Sequence, residues 1–259
     1  LNAVSAARAT YGFNCPKVVK LNPPLHMTAE FAKSGRAAGK VKGIDRIRAV
    51  LDENKGTYDA VAIASVIECE DEYHEQYFHC DGQMVNPWGG VEAMLTHTVS
   101  MLYEIPTAHS PMLESHKVAN FDLGIVDPRL AAEAVSLTFV QCMFKGLQRS
   151  PRIITDPNAM QAVGLLTAAD VSCLVIPDKC VGLPTLAALD QRIPVIAVRE
   201  NTNLMANDLT LLPWEEGQLH IVDNYWEAVG VMTAIKAGIT PNSLRRPLSA
   251  TRVEDKKVE

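Results

Sequence analysis

Two short loops carry much of the reactive chemistry of this chain. Asp178, Lys179, Cys180 and Gly182 follow the apolar run at 174–176, and Arg199, Glu200, Asn201 and Asn203 follow Val195–Val198. A thiol just before a helix start becomes a nucleophile when its pKa is lowered, so Cys180 is a candidate. An arginine can clamp a carboxylate or phosphate at two points, so Arg199, Glu200 and Asn201, with Gly182 opposite, form a candidate anion site. A third group is Asn86-Pro87-Trp88-Gly89-Gly90-Val91-Glu92. Paired glycines at a helix start let a ligand approach the backbone, and the exposed N–H groups there attract anions. Asn86, Gly89 and Gly90 are therefore ligand-binding candidates, and Glu92 and His109 are candidates for general acid–base work. Each has a structural alternative: a tight turn for the glycines, a semi-buried loop thiol for Cys180, and an ion pair with Glu200 or Asp208 for Arg199.

The stretch at 68–81, E-C-E-D-E-Y-H-E-Q-Y-F-H-C-D, is dense in potential metal ligands. His74 and His79 are five residues apart, so one helical face cannot present both, and no H-E-x-x-H occurs. The stretch reads as an acidic, solvated loop without a metal, and Tyr73, Tyr77 and Phe78 suit it to close over a ligand. No nucleotide or metal motif marks a cofactor. The paired glycines lack the lysine of a phosphate-binding Walker loop. His97, inside a helix, reads as a structural histidine, whereas His109 follows a strand end, where sites assemble.

The elements that must position these groups alternate between strand and helix. Apolar, β-branched runs at 58–66, 123–126, 153–155, 174–176, Val195–Val198 and 220–222 read as strands. Residues 28–34, 44–54, 90–104, 129–146, 159–166, 185–189 and Tyr225–Lys236 read as helices. In the helix at 90–104 the expected buried stripe is Val91, Met94, Leu95, Val99 and Leu102. Residues 68–88 and 106–120 read as loops. The alternation predicts an α/β fold: an open, mostly parallel, Rossmann-like sheet with helices on both faces. Ligands bind beyond the carboxyl ends of strands in such sheets, so the three loops are expected on one sheet edge around one crevice.

Three segments together resemble a known family: N-P-W-G-G-V-E-A-M-L-T-H at 86–97, S-L-T-F-V-Q-C-M-F-K-G-L-Q-R-S-P at 136–151, and P-D-K-C-V-G-L-P-T-L-A-A-L-D-Q-R-I-P-V-I-A-V-R-E-N at 177–201. The chain from about Asn2 to Pro247 resembles the bacterial and cyanobacterial family known as domain of unknown function 3326. That family carries Gly-Gly where this chain has Cys180-Val181-Gly182, and its members open with a glycine-rich segment that this chain lacks. The resemblance implies an α/β fold and a chain that begins inside a longer domain. It implies no reaction.

Composition sets the outer bounds. The chain has 259 residues, 47% of them hydrophobic and 21% charged, enough to bury a large core. Residues 1–239 are expected as one α/β domain, with two lobes meeting near 110–150 as its subdivision, and 240–259 as a surface tail. With a net charge of −6 and no basic stripe, a nucleic-acid partner is not expected. No apolar run is long enough for a membrane span, and no secretory signal opens the chain. The six cysteines include no C-x-x-C pair and read as reduced, which places the protein in the cytoplasm, or in the plastid stroma of a photosynthetic eukaryote. The leading functional reading is an enzyme acting on a small anionic metabolite, with Cys180 as nucleophile and His109 or Glu92 as acid and base. The alternatives are a ligand-binding module without chemistry and a structural subunit whose apolar helix faces build a homo-oligomer.

Overall fold

The computed structural model describes residues 1–33, 35–112, 118, 120–135, 139–248 and 250–255. They divide into two units, Leu1–Gln161 and Ala162–Glu259, so the division falls after the 110–150 stretch. The first unit runs α1 (Asn2–Tyr11), β1 (His26–Phe31), β2 (Ala37–Lys42), α2 (Ile44–Glu53), β3 (Val61–Glu68), α3 (Asp71–His79), α4 (Gly89–Tyr103), β4 (Thr107–Met112), α5 (Ala131–Val135) and α6 (Phe139–Gln148). Its sheet has the order β2-β1-β3-β4. β1 pairs antiparallel with β2 and parallel with β3, and β3 pairs parallel with β4.

Helices α2 and α4 bury their apolar faces on this sheet. Ile47 and Leu51 of α2 and Val91, Leu95 and Val99 of α4 close a core over Leu25, Met27 and Ile67. In α4 only the i, i+4, i+8 residues go inside. Met94 and Leu102, expected in the buried stripe, are 49% and 64% exposed. The helix is apolar over much of its circumference, so periodicity overstated the width of its inner face. α6 packs on β3 and β4, and α1 packs on α6, where Phe13 stacks on Phe144 at 4.4 Å.

The second unit is regular: β5 (Leu174–Pro177), α7 (Leu183–Asp190), β6 (Val195–Val198), β7 (Leu219–Val222) and α8 (Tyr225–Lys236), with sheet order β5-β6-β7, all parallel. β6 is the central strand and is buried on both faces, as expected of a parallel sheet. Val195 and Ala197 pack with Ala188 of α7 and Leu209, while Ile196 and Val198 pack with Ala228 and Val231 of α8. The open, mostly parallel α/β arrangement is therefore present, realised as two sheets rather than one.

Several expected elements are different. Residues 28–34 begin in β1, not a helix, and β2 lies in a segment given no element. Residues 68–88 hold α3, and 106–120 hold β4. Residues 123–126 and 153–155 form no strand, and 159–166 contain only a short 3-10 turn at Ala159–Gln161. The helix expected at 129–146 is described as α5 and α6, with 136–138 outside the described residues.

His220, on β7, sits partly buried, and burial holds its pKa below the ordinary 6.5, with Arg245 adding to the effect against a hydrogen bond that the ring donates to the Gly217 backbone. A base whose native pKa is depressed contributes stability that is full above its ordinary value and lost as pH falls toward the native one. The second unit should therefore lose urea resistance on acidification below about pH 6.5. His220→Gln should flatten that loss. Equal losses in both proteins would remove His220 as the cause.

Candidate functional site

The parallel register of β3 and β4 places Ile63 opposite His109 and Ser65 opposite Pro111. Side chains two apart on a strand share a face, so Ser65 and His109 emerge side by side. α4 crosses that face, and its first turn carries Glu92. A carboxylate is favoured at a helix N-terminus, where the backbone N–H groups gather partial positive charge. The outcome is a three-residue relay. His109 Nδ1 lies 2.8 Å from Glu92 Oε1, and His109 Nε2 lies 2.8 Å from Ser65 Oγ. The His109 side chain is 1% exposed and that of Glu92 23%. Met27 Sδ stands 3.0 Å from Ser65 Oγ, as a weak acceptor.

A second polar group, of Glu133, Tyr77 and Asn86, is coupled to Glu92 by charge alone. The Glu133 carboxyl hydrogen-bonds the Tyr77 hydroxyl; burial raises its pKa and the charge of Glu92 adds to that, while the Tyr77 bond opposes it. Burial, followed by Glu133, pushes the Tyr77 phenol up to about 12. Asn86 Nδ2 donates to Tyr77 Oη at 3.3 Å. Tyr77, Asn86 and Arg129 line a cleft of about 180 Å³. Arg129 Nη2 donates to Asp127 Oδ2 at 2.6 Å and holds the Asp127 carboxyl down to about 2. A larger hollow of about 520 Å³ lies at Arg8, Gly12 and Phe13, and neither it nor the cleft has a relay residue in its wall.

The double glycine does structural work. A Cβ on Gly90 would lie 2.2 Å from the Ala37 carbonyl oxygen, so glycine is what lets α4 rest on β2. The N–H groups of Trp88 and Gly89 donate to Asn86 Oδ1 at 2.9 and 3.0 Å, so two donors of this helix start are already engaged. The stretch at 68–81, expected as a loop, is largely α3. His74 and Tyr77 are its buried residues, and both rings pack on Trp88, at 4.9 and 5.4 Å. Among the described residues no three His, Cys, Asp or Glu side chains are grouped to hold a metal.

The two loops of the second unit do meet at one sheet edge. Asn203 Nδ2 donates to the Asp178 carbonyl at 2.7 Å, and Asn207 Nδ2 to the Lys179 carbonyl at 3.1 Å. Their polar groups are largely taken up internally. Arg199 Nη1 pairs with Asp223 Oδ1 at 2.9 Å, Glu200 Oε1 accepts the Tyr225 N–H at 2.6 Å, and Asn201 Nδ2 donates to Tyr225 Oη at 2.6 Å. Burial and the charge of Asp178 push the Cys180 thiol up, opposite to the lowering that a nucleophile needs. Gly182 is the N-cap of α7 with an extended backbone, and only Pro184 Cδ comes near its missing Cβ, at 3.8 Å. Gly89 and Gly90 belong to the other unit and another sheet, so the single sheet edge expected to unite all three loops does not exist.

The structure thus joins His109 to Glu92, as two of the named acid–base candidates, and adds Ser65, which sequence reasoning passed over. Its only signal was a hydroxyl at an inward position of an otherwise apolar strand. The fold and site define an open α/β protein of two units, one holding a buried Ser–His–Glu relay. The chain belongs to the family described as protein of unknown function (DUF3326), whose model matches residues 1–245. It is 28% identical over 242 residues to an uncharacterised lipoprotein of Synechococcus sp., covering 92% of this chain and 65% of that relative's length. No solved structure matches the chain. None of the six cysteines is in a disulfide, and no helix among the described residues is long and apolar enough to cross a membrane.

Proposed function

We propose that the first unit is an enzyme that moves protons on a small anionic metabolite, with His109 as the proton carrier and Glu92 fixing its ring. One observation carries this reading: a fully buried imidazole held at 2.8 Å on both nitrogens, between a carboxylate and a hydroxyl. Apolar residues of similar volume would fill the same space with no desolvation cost, so a polar relay in a core is retained for its chemistry. The cleft beside Tyr77 and Asn86 is assigned to the metabolite; Arg129 stands in its wall with its charge paired to Asp127. Arg199, in the second unit, is spent on Asp223.

A screen of small carboxylates, phosphates and their esters tests this. His109→Gln should lower turnover by about a hundredfold to ten-thousandfold, the usual share of a positioned acid–base group. Turnover that survives His109→Gln in a folded protein overturns the assignment. The second reading, a binding module, is supported by the hydrogen bonding of Tyr77 to Asn86 in the cleft wall and to Glu133, which needs no reaction. Saturable binding without turnover of any compound would select it.

Location and assembly are part of the same proposal. The cytoplasm, or the plastid stroma in a photosynthetic eukaryote, suits six cysteines outside any disulfide. A lipid anchor is the competing reading, supported by the word lipoprotein in the relative's name. A homo-oligomer is supported by the apolar face that α8 leaves exposed, with Trp226 at 85% and Val229 at 51%.

A further inference from the structure

We propose that Ser65 is a catalytic nucleophile and that the reaction is acyl transfer to water: the hydrolysis of a small ester or thioester. This rests on the acid–base reading of His109 and adds the covalent partner. The hydrogen positions follow from what each group can do. A carboxylate only accepts, so His109 Nδ1 carries the hydrogen that faces Glu92 Oε1 at 2.8 Å. In the neutral ring Nε2 is then a bare lone pair, and it lies 2.8 Å from Ser65 Oγ. The serine hydrogen has two acceptors, this nitrogen and the Met27 thioether at 3.0 Å. The nitrogen is much the stronger, so the hydroxyl is polarised toward the base that would take its proton.

This is the arrangement in which serine becomes nucleophilic, and it is recognised by geometry and roles rather than by position in a chain. Here it stands on a strand, not on a sharp glycine turn: Ala64 and Val66 flank Ser65. The pleat of β3 aims the hydroxyl toward α4. Ser65 is 8% exposed and Glu92 23% on its side chain, so the relay is deep but reaches solvent on the side of the helix start. Glu92 is coupled by charge to Glu133, whose carboxyl bonds Tyr77 in the wall of the cleft, and the cleft itself is lined by none of the three relay residues.

The step balances without any oxidant or cofactor. Ser65 Oγ bonds to the carbonyl carbon as its proton passes to His109 Nε2, and the carbonyl π pair moves onto oxygen. That pair returns as the bond to the leaving group breaks, and the alkoxide or thiolate takes the proton from Nε2. Water then attacks the acyl carbon, gives a proton to Nε2, and the bond to Oγ breaks. Oγ recovers the proton, and a carboxylic acid leaves.

Diisopropyl fluorophosphate is the probe. With it Oγ bonds to phosphorus, the P–F bond breaks, and fluoride departs as the serine proton goes to His109. The wild-type chain should take one diisopropylphosphoryl group, mapped by peptide mass spectrometry to Ser65. Ser65→Ala should take none there, and His109→Gln should be labelled at least about a hundredfold more slowly. Glu92→Gln should slow labelling as well, because the ring loses its orienting carboxylate. The wild-type result does not depend on any variant folding. A folded wild-type chain that takes no adduct at Ser65, or takes it elsewhere, overturns the proposal. If His109→Gln abolishes turnover in the metabolite screen while Ser65→Ala turns over normally, the nucleophile is refuted and the acid–base reading stands. Absence of both adduct and turnover removes both.

Discussion

Replacing Gly90 with alanine should destabilise the first unit by about 3 kcal/mol or more, while the same change at Gly89 should be neutral or stabilising. The two positions are adjacent at the start of α4, so propensity alone would treat them alike. Space does not. The new methyl at position 90 would lie 2.2 Å from the Ala37 carbonyl oxygen, 2.3 Å from its carbon and 2.6 Å from the Ala38 nitrogen. All three are backbone atoms of a paired strand, and no rotamer can move them aside. The strand returns the constraint, since a Cβ on Gly39 would meet Thr28 O at 2.2 Å and Val91 Cβ at 2.6 Å. At Gly89 the nearest atoms belong to the Asn86 side chain at 3.8 Å, an ordinary contact. Urea unfolding followed by far-ultraviolet circular dichroism measures both. A Gly90→Ala loss under 1 kcal/mol would mean that α4 does not lie on β2 as described.

Truncating Leu95 to alanine should cost about 2–5 kcal/mol, because the side chain is fully buried and the cavity it leaves is walled by sheet and helix. Met94→Ala and Leu102→Ala should each stay within about 0.5 kcal/mol, the usual range for surface changes. All three are large apolar residues on one helix, so the contrast isolates register from hydrophobicity. Chemical denaturation of the three variants gives the ranking. A Leu102→Ala loss as large as that of Leu95→Ala would rotate the helix from its described orientation.

The parts of the fold that could be read from the chain are those where burial is symmetric. V-I-A-V is apolar at every position because both faces of β6 are covered. β1 and β2 escaped because H-M-T-A-E-F and A-A-G-K-V-K are poor in β-branched residues; antiparallel pairing at the sheet's margin holds them. α3 escaped because D-E-Y-H-E-Q-Y-F-H buries only His74 and Tyr77, too few for an apolar stripe. The site divides in the same way. Glu92 stands out for its place after paired glycines, and His109 for a loop expected beyond a strand end, which is in fact β4, yet nothing in either says that they touch. Ser65 could not be found without register, since its role depends on which residue of β4 stands beside it.

The central place of β6 has a consequence for how the second unit opens to solvent. Its backbone is laddered to β5 on one side and β7 on the other, and its side chains are covered above and below. No fraying of an edge uncovers those amides, so their hydrogens trade with deuterium only when the entire sheet comes apart. In the first unit β2 has a neighbour on one side only among the described residues, and its hydrogens are exposed by far smaller fluctuations. The chain therefore carries its own clock: the slowest amides of 195–198 report the unit's global opening, and those of 37–42 report local breathing beneath the helix that carries Glu92.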